Sequence, residues 1–234
     1  MSGLSSMPDG YRALVVGAGG AIGAAFLRAL QADPRCGLAL GLGRNSAPAI
    51  DFEQEPSIAA AAVELAQRGP FHLIINAAGL LHQPEFMPEK QLSQLSYAQM
   101  LSTLTINTLG PALLLRHFSP LLDRQRGVLA MLSAKVGSIE DNRLGGWYSY
   151  RASKAALNML IKTAAIELKR SQPQAVLLAL HPGTVNSALS APFRGAEIGR
   201  PADVAAADML AVLDRLTPAD TGQFISYAGE RLPW

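Results

Sequence analysis

Short apolar runs alternate with longer helical stretches along the whole chain. "ALVVG" ends in glycines and is followed by "AIGAAFLRAL", whose apolar residues suit a helix buried against a sheet. The pattern continues with "LALGLG" as a strand, "SIAAAAVELAQR" as a helix and "FHLIINAAG" as a strand. A long helical region is expected from about Ser96 to Leu122, with Gly110-Pro111 inside it. Then come "GVLAMLSA" as a strand, a helix through Tyr150 to about Arg170, "AVLLALHPG" as a strand, a helix over Ala202–Leu213, and "GQFISYA" as the last strand. Strands that are apolar throughout are those buried on both faces, so this alternation predicts a parallel sheet covered by helices on both sides. Right-handed crossovers make it a doubly wound α/β Rossmann fold, with ligands beyond the carboxyl ends of the strands. Residues 1–10, rich in Ser, Gly and Pro, read as a flexible leader. Residues 11–234 read as one domain with an integrated substrate site, without linker or repeat.

Composition narrows the partners. The 234 residues are 49% hydrophobic and 16% charged, with a net charge of +2 spread along the chain. That gives no electrostatic footprint for nucleic acid or an anionic membrane and points to a small molecule. The stretch from Ser171 to Phe193 lacks Asp, Glu, Lys and Arg, but Pro173, Pro182, Gly183 and Pro192 interrupt it, so no membrane span is expected. The single cysteine, Cys36, cannot form an intrachain disulfide, and the start "MSGLSSMPDGYR" lacks the regions of a signal peptide. A cytoplasmic location is expected. His82, His117 and His181 have no Cys or carboxylate at ligand spacing, so no metal is expected.

Two local patterns carry chemistry. "VVGAGGAIG" puts Gly17, Gly19, Gly20 and Gly23 between the first strand and the first helix. Glycines allow a sharp turn and close approach to a pyrophosphate, and the helix that follows offers unpaired N–H groups to the anion. The second strand ends in "LGRNS", where an acidic residue would bind the ribose 2′-hydroxyl of NAD and an arginine accommodates the 2′-phosphate of NADP. Arg44 therefore favours NADP over NAD. Asp51 in "AIDF" either caps a turn or meets an adenine amino group. In "YSYRASK", Tyr150 and Lys154 are one helical turn apart on one face, bringing a phenol and an ammonium to the same spot.

Together these pieces resemble the short-chain dehydrogenase/reductase family from Ala13 to Trp234. "VGAGGAIG" is similar to its TGxxxGIG, with Val16 for the threonine and Ala21 for a glycine. "NAAG" resembles its NNAG, "INTLGP" carries its helix asparagine at Asn107, Tyr150 to Lys154 matches its YxxxK, and "HPGTVNS" resembles its PGxVxT. "GSIEDNRLGGWYSYRASKAALNML" and the ending "GQFISYAGERLPW" resemble the branch holding sniffer-like carbonyl reductases and bacterial C-factor-like proteins.

The resemblance implies a mainly parallel sheet of seven strands and a hydride exchange between nicotinamide and a carbonyl or alcohol. Tyr150 becomes the proton donor in reduction and acceptor in oxidation, its pKa of about 10 lowered by the Lys154 ammonium, helped by the positive nicotinamide ring in the oxidised complex. Lys154 also binds the nicotinamide ribose, and Asn107 supports a water. Gly17, Gly19, Gly20, Ala21, Ile22, Gly23, Arg44, Asp51, Phe52, Asn76, Ala77, Ala78 and Gly79 are implied at the cofactor, as are Pro182, Gly183, Thr184, Val185 and Ser187. The family's polarising serine is less direct. "LSAKVG" puts Ala134 in its slot, leaving Ser133 as the assigned catalytic hydroxyl and Ser138 as an alternative. "SALSAPFRGAEIG" is expected to close over substrate, with Trp147, Leu189 and Phe193 lining an apolar pocket. Pairing through the Asn107 and Tyr150 helices implies a homodimer or homotetramer. A nucleotide-binding sensor with little turnover is the alternative, and a module with an empty crevice a third class.

Overall fold

The computed structural model describes residues 3–234. Among them, six strands form one parallel sheet: β1 (Tyr11–Val16), β2 (Cys36–Leu42), β3 (Leu73–Asn76), β4 (Val128–Leu132), β5 (Val176–His181) and β6 (Gln223–Ser226), in the order β2-β1-β3-β4-β5-β6. The single-domain Rossmann expectation holds, with six strands instead of seven. Where an extra edge strand would lie, the chain from 43 to 54 folds back on itself. Ile50 N–H donates to Gly43 O, and Ile50 and Phe52 turn into the core instead of extending the sheet beside β2.

The helices are α1 (Ala21–Gln31), α2 (Glu55–Ala66), α3 (Tyr97–Leu104), α4 (Gly110–Phe118), α5 (Tyr148–Ser171), α6 (Gly195–Ile198) and α7 (Ala202–Arg215). Successive β1 residues alternate between two cores, as the two-residue period of a strand requires. Ala13 and Val15 pack on the α1 and α7 side, while Leu14 and Val16 pack with Ile58, Leu114, Leu157 and Ile161 of α2, α4 and α5. The helical region expected before β4 runs without a gap from Tyr97 to Leu121. A π-helical turn, Thr105–Leu109, separates α3 from α4.

The segment read as a flexible leader is held down from Leu4 onward. Leu4 and Met7 are buried in the α1/α7 core. Leu4 N–H donates to Asp33, and Arg35 donates to the carbonyls of Leu4 and Met7. Asp214 accepts from Ser5 N–H and Ser6 N–H. Composition suggested fraying, yet two apolar side chains and these carboxylates tie the segment to the domain.

The sheet order reverses between β1 and β3, where Val16 pairs with Asn76. That reversal opens a crevice at the carboxyl ends, the position where open α/β sheets bind ligands.

Candidate functional site

A cleft of about 670 Å³ occupies the crevice, lined by Gly17 to Gly20, Gly43 to Ser46, Asp51 to Glu53 and Ala77 to Leu80 among others. The glycine turn shapes one wall. Gly17 has φ +81, and a side chain there would lie 2.6 Å from Ala78 N, so the turn packs directly on the segment after β3. A Cβ on Gly23 would collide with Gly17 O. Gly19 faces open space, and α1 starts at Gly20 without a side-chain cap. The first N–H groups of α1 are thus left without a side-chain partner next to Gly19 and Gly20, which line the cleft, while Ala21, Ile22 and Gly23 do not line it. These features fit the phosphates of a dinucleotide.

At the end of β2, Ser46 Oγ accepts from Gly43 N–H and shapes the turn that presents Arg44. Arg44 is exposed and, among the described residues, forms no ion pair. Asp51 accepts from Glu53 N–H, so its side chain already closes a local turn while bordering the cleft. Phe52 lines the same wall and packs closely on Gly110. Asn76 is buried and its Oδ1 accepts from Ala78 N–H, giving it a turn-shaping role.

Gly79 joins this cleft to the second chemical group. A Cβ built there would lie 3.8 Å from Lys154 Nζ and 3.6 Å from Asn107 Oδ1. Lys154 is buried and its ammonium donates to Leu132 O at 2.9 Å. The same Nζ lies 5.9 Å from the centre of the Tyr150 ring, confirming that the two share one face of α5. Gly137 permits the approach of β4's end to that helix: a Cβ there would lie 2.7 Å from Lys154 Cβ.

Asn107 is fully buried in the π turn. Its Nδ2 donates to Leu80 O and Ser153 Oγ, at 2.7 and 3.0 Å, while its Oδ1 accepts from Leu80 N–H at 2.8 Å. Pro111, four residues on, has no N–H to give the Asn107 carbonyl in regular helical fashion. Such π turns recur at functional sites. Ser153 and the Leu80 backbone were not singled out from the sequence; only the folded chain shows them holding Asn107.

Burial decides the ionisation of the pair. It pushes the Tyr150 phenol up to about 12 and the Lys154 ammonium down to about 8. The expected lowering of the phenol by its cationic neighbour is outweighed in the protein alone. Among the described residues the Tyr150 hydroxyl donates to no protein group.

Both candidate serines are bonded within the protein. Ala134 continues β4 in extended conformation, φ −144 and ψ 143, so neighbouring side chains alternate without a bulge. Ser133 consequently turns inward, 3% exposed, and donates to Asn158 Oδ1 at 2.6 Å. Ser138 donates to Trp234 O and accepts from Asp141 N–H. Both hydroxyls are engaged in structure, and the slot for the assigned hydroxyl holds the half-buried Ala134.

Pro182, Gly183, Thr184, Val185 and Ser187 leave β5 as a tight turn. Gly183 has φ +73 and packs on Tyr227, and Val185 bridges to Arg200. Ser187 pairs with Ser190 within the turn, and these residues do not line the 670 Å³ cleft. Beyond them the expected covering segment folds as a short turn and α6. Ala188 O approaches His82 Nε2 at 3.3 Å, bringing this segment against the loop after Gly79. Phe193 stands 4.8 Å from Trp147 and 6.0 Å from His82, and Trp147 stands 6.1 Å from Tyr150. Trp147, Phe193 and His82 thus form one aromatic cluster beside Tyr150. No cluster of metal-ligating side chains occurs among the described residues, and no described helix is long and apolar enough to cross a membrane.

The chain is similar to a 1-hydroxy-2-glutathionyl-2-methyl-3-butene dehydrogenase of Rhodococcus sp. strain AD45, 32% identical over 80% of this chain and 79% of the relative. It is 37% identical to the C-signal protein of Myxococcus xanthus, over 71% and 94% of the two chains. Its fold matches an NADPH-bound carbonyl reductase from chicken fatty liver, with TM-score 0.82, 24% identity and coverage of 97% and 96%. The carbonyl reductase Sniffer of D. melanogaster also matches at TM-score 0.82, with 21% identity and coverage of 96% and 99%. A family model described as short chain dehydrogenase matches residues 43–197, beyond the glycine turn, and with these relatives it shows that the chain belongs to the short-chain dehydrogenase family of oxidoreductases.

Proposed function

We propose that the protein is an NADP-dependent oxidoreductase that exchanges a hydride between nicotinamide and a small, largely apolar carbonyl or alcohol. One observation supports the reading above all: Gly79 lines the cleft and also adjoins Asn107 and Lys154, and Lys154 shares a face of α5 with Tyr150. Arg44, exposed at the end of β2, is suited to a 2′-phosphate. The NADPH-bound state of the chicken carbonyl reductase is consistent with that preference.

The bound cofactor supplies or accepts the hydride; the chain supplies the proton and the geometry. At neutral pH a phenol pushed up to about 12 is protonated, the state needed to donate to a carbonyl oxygen. Lys154 is mostly ammonium below about pH 8 and stabilises charge developing on the phenol as the proton leaves. Trp147 and Phe193 give the substrate an apolar wall.

Leu101, Leu109, Met159 and Ile166 are exposed on the helical layer carrying Asn107 and Tyr150, and they support a homodimer or homotetramer. A lone cysteine suits the cytoplasm. A second reading, a nucleotide sensor with little turnover, draws support from Ala134 and from the engagement of Ser133 and Ser138.

Titration with NADPH and NADH, followed by an aldehyde, ketone and quinone panel at the nicotinamide absorbance, separates them. Tight NADPH binding with turnover is expected. Tight binding without turnover on any compound would transfer the assignment to the sensor, and binding of neither nucleotide would defeat both.

A further inference from the structure

Glu89 is a buried carboxylate that the proposed chemistry does not use. It lies in the loop between β3 and α3 and is 2% exposed. Its Oε2 accepts from Ser149 N–H at 3.2 Å, its Oε1 accepts from the Ser149 hydroxyl, and its backbone oxygen accepts from Trp147 N–H at 2.5 Å. All three contacts fall on the start of α5, just before Tyr150.

That start has no cap of its own. The residue preceding α5 is Trp147, whose side chain makes no capping hydrogen bond. A carboxylate at a helix N-terminus satisfies orphan N–H groups and is favoured by the positive end of the helix dipole. Gly145, Gly146 and Trp147 also have left-handed φ values of 64, 63 and 55. A bulky indole is rarely found there and persists only where its surroundings over-determine the backbone. Glu89 grips Trp147 from the loop, while Arg151 donates to the carbonyls of Gly145, Gly146 and Val136 from α5 itself.

We propose that Glu89 is a positioning residue that seats the left-handed Trp147 and the first turn of α5, and so sets where the Tyr150 hydroxyl and the indole wall stand relative to the cleft. The loop is pinned at both ends of its course: Leu80 is bonded to Asn107, and Glu89 to the start of α5. Release of Glu89 would let Trp147 shift against both Tyr150 and Phe193, the rings it adjoins.

The proposal rests on the oxidoreductase reading for its kinetic test and has a second readout that does not. Glu89→Gln keeps the shape but removes the charge and one of the two acceptors, so the Ser149 hydroxyl must turn to accept from the new amide N–H. The expected result is a kcat lower by about 10- to 100-fold, the scale of a misplaced reacting group, with the KM for NADPH within about twofold. The chain has 2 tryptophans, so a Trp234→Phe background leaves Trp147 as the sole fluorophore of its type, and its emission should shift in Glu89→Gln. Ser149→Ala removes one donor and keeps the backbone N–H, so it should lose less. Combined with Glu89→Gln it should add little, because both act through one contact.

A folded Glu89→Gln with kcat within about twofold of wild type would overturn the proposal, as would unchanged Trp147 emission. If Glu89→Gln does not fold, an unaltered kcat and emission in Ser149→Ala would overturn it. Failure of the wild type to turn over any carbonyl would sink the oxidoreductase reading instead, and Trp147 emission would still decide the role of Glu89.

Discussion

At the first βα junction the cleft wall is backbone, and Gly17, Gly19 and Gly20 that form it are near neighbours in sequence. Around Tyr150 and Lys154 the wall is side chain, and its contacts join residues 27, 46 and 60 positions apart. The nucleotide end is vulnerable to added atoms, since a Cβ on Gly17 meets Ala78 N at 2.6 Å. The other end is vulnerable to lost or displaced atoms, since Asn107, Lys154 and Glu89 each hold a neighbour by hydrogen bonds. The two ends should therefore separate binding from turnover.

The largest expected effect is that of Tyr150→Phe. Loss of the proton donor should reduce kcat by about 1,000-fold, with NADPH affinity within about twofold. If the variant matched wild type on active carbonyls, the phenol would not be the acid and the division between the two ends would fail.

Next comes the pH dependence of stability at Lys154. The folded chain releases this proton near pH 8, whereas an unfolded lysine holds it to 10.5. Between those values the unfolded state binds more protons, so the site's contribution to stability rises with pH, by about 3 kcal/mol across the window. Lys154→Met lacks that rise. Denaturant titrations of both proteins at several pH values from about 7 to about 11 check it, and a constant difference would show that the ammonium keeps its water.

A smaller effect is expected at the nucleotide end. Arg44→Ala should weaken NADPH binding by about 10- to 100-fold and leave NADH nearly unchanged, as a charge-assisted contact to a 2′-phosphate is lost. Equal losses for both nucleotides would place Arg44 elsewhere than at that phosphate.

Smallest is Ser133→Ala. It should lower stability by about 1 kcal/mol, because the Asn158 carbonyl loses its donor, and leave kcat within about threefold of wild type. A loss of about 100-fold in kcat would return Ser133 to the reaction.

Legibility followed the same division. "VVGAGGAIG" and "LGRNS" announced the nucleotide end because the physics there is local: turn, helix end and one basic side chain. Tyr150 and Lys154 were legible because helical spacing puts them on one face. Ser133 was the hydroxyl assigned to the reaction, and its bond to Asn158, 25 residues on, had no local signature. The state of the phenol in the protein alone was not legible for a different reason. Spacing reveals a neighbouring charge but not the desolvation that outweighs it. Glu89 had no local signature, since its partners follow 60 residues later.

Apolar periodicity and glycine placement by themselves determined the order of strands and helices, the parallel sheet, the crevice and the pairing of a phenol with an ammonium. These depend on the alternation of short-range preferences, which a linear chain carries openly. Only the tertiary structure decided that six strands suffice, that Leu4 and Met7 anchor the leading segment, and that Ser133 faces inward. It also decided that a loop carboxylate caps the helix bearing Tyr150. Those outcomes depend on which distant groups compete for the same buried space and the same hydrogen-bond partners, and that competition exists only once the sheet has brought them together.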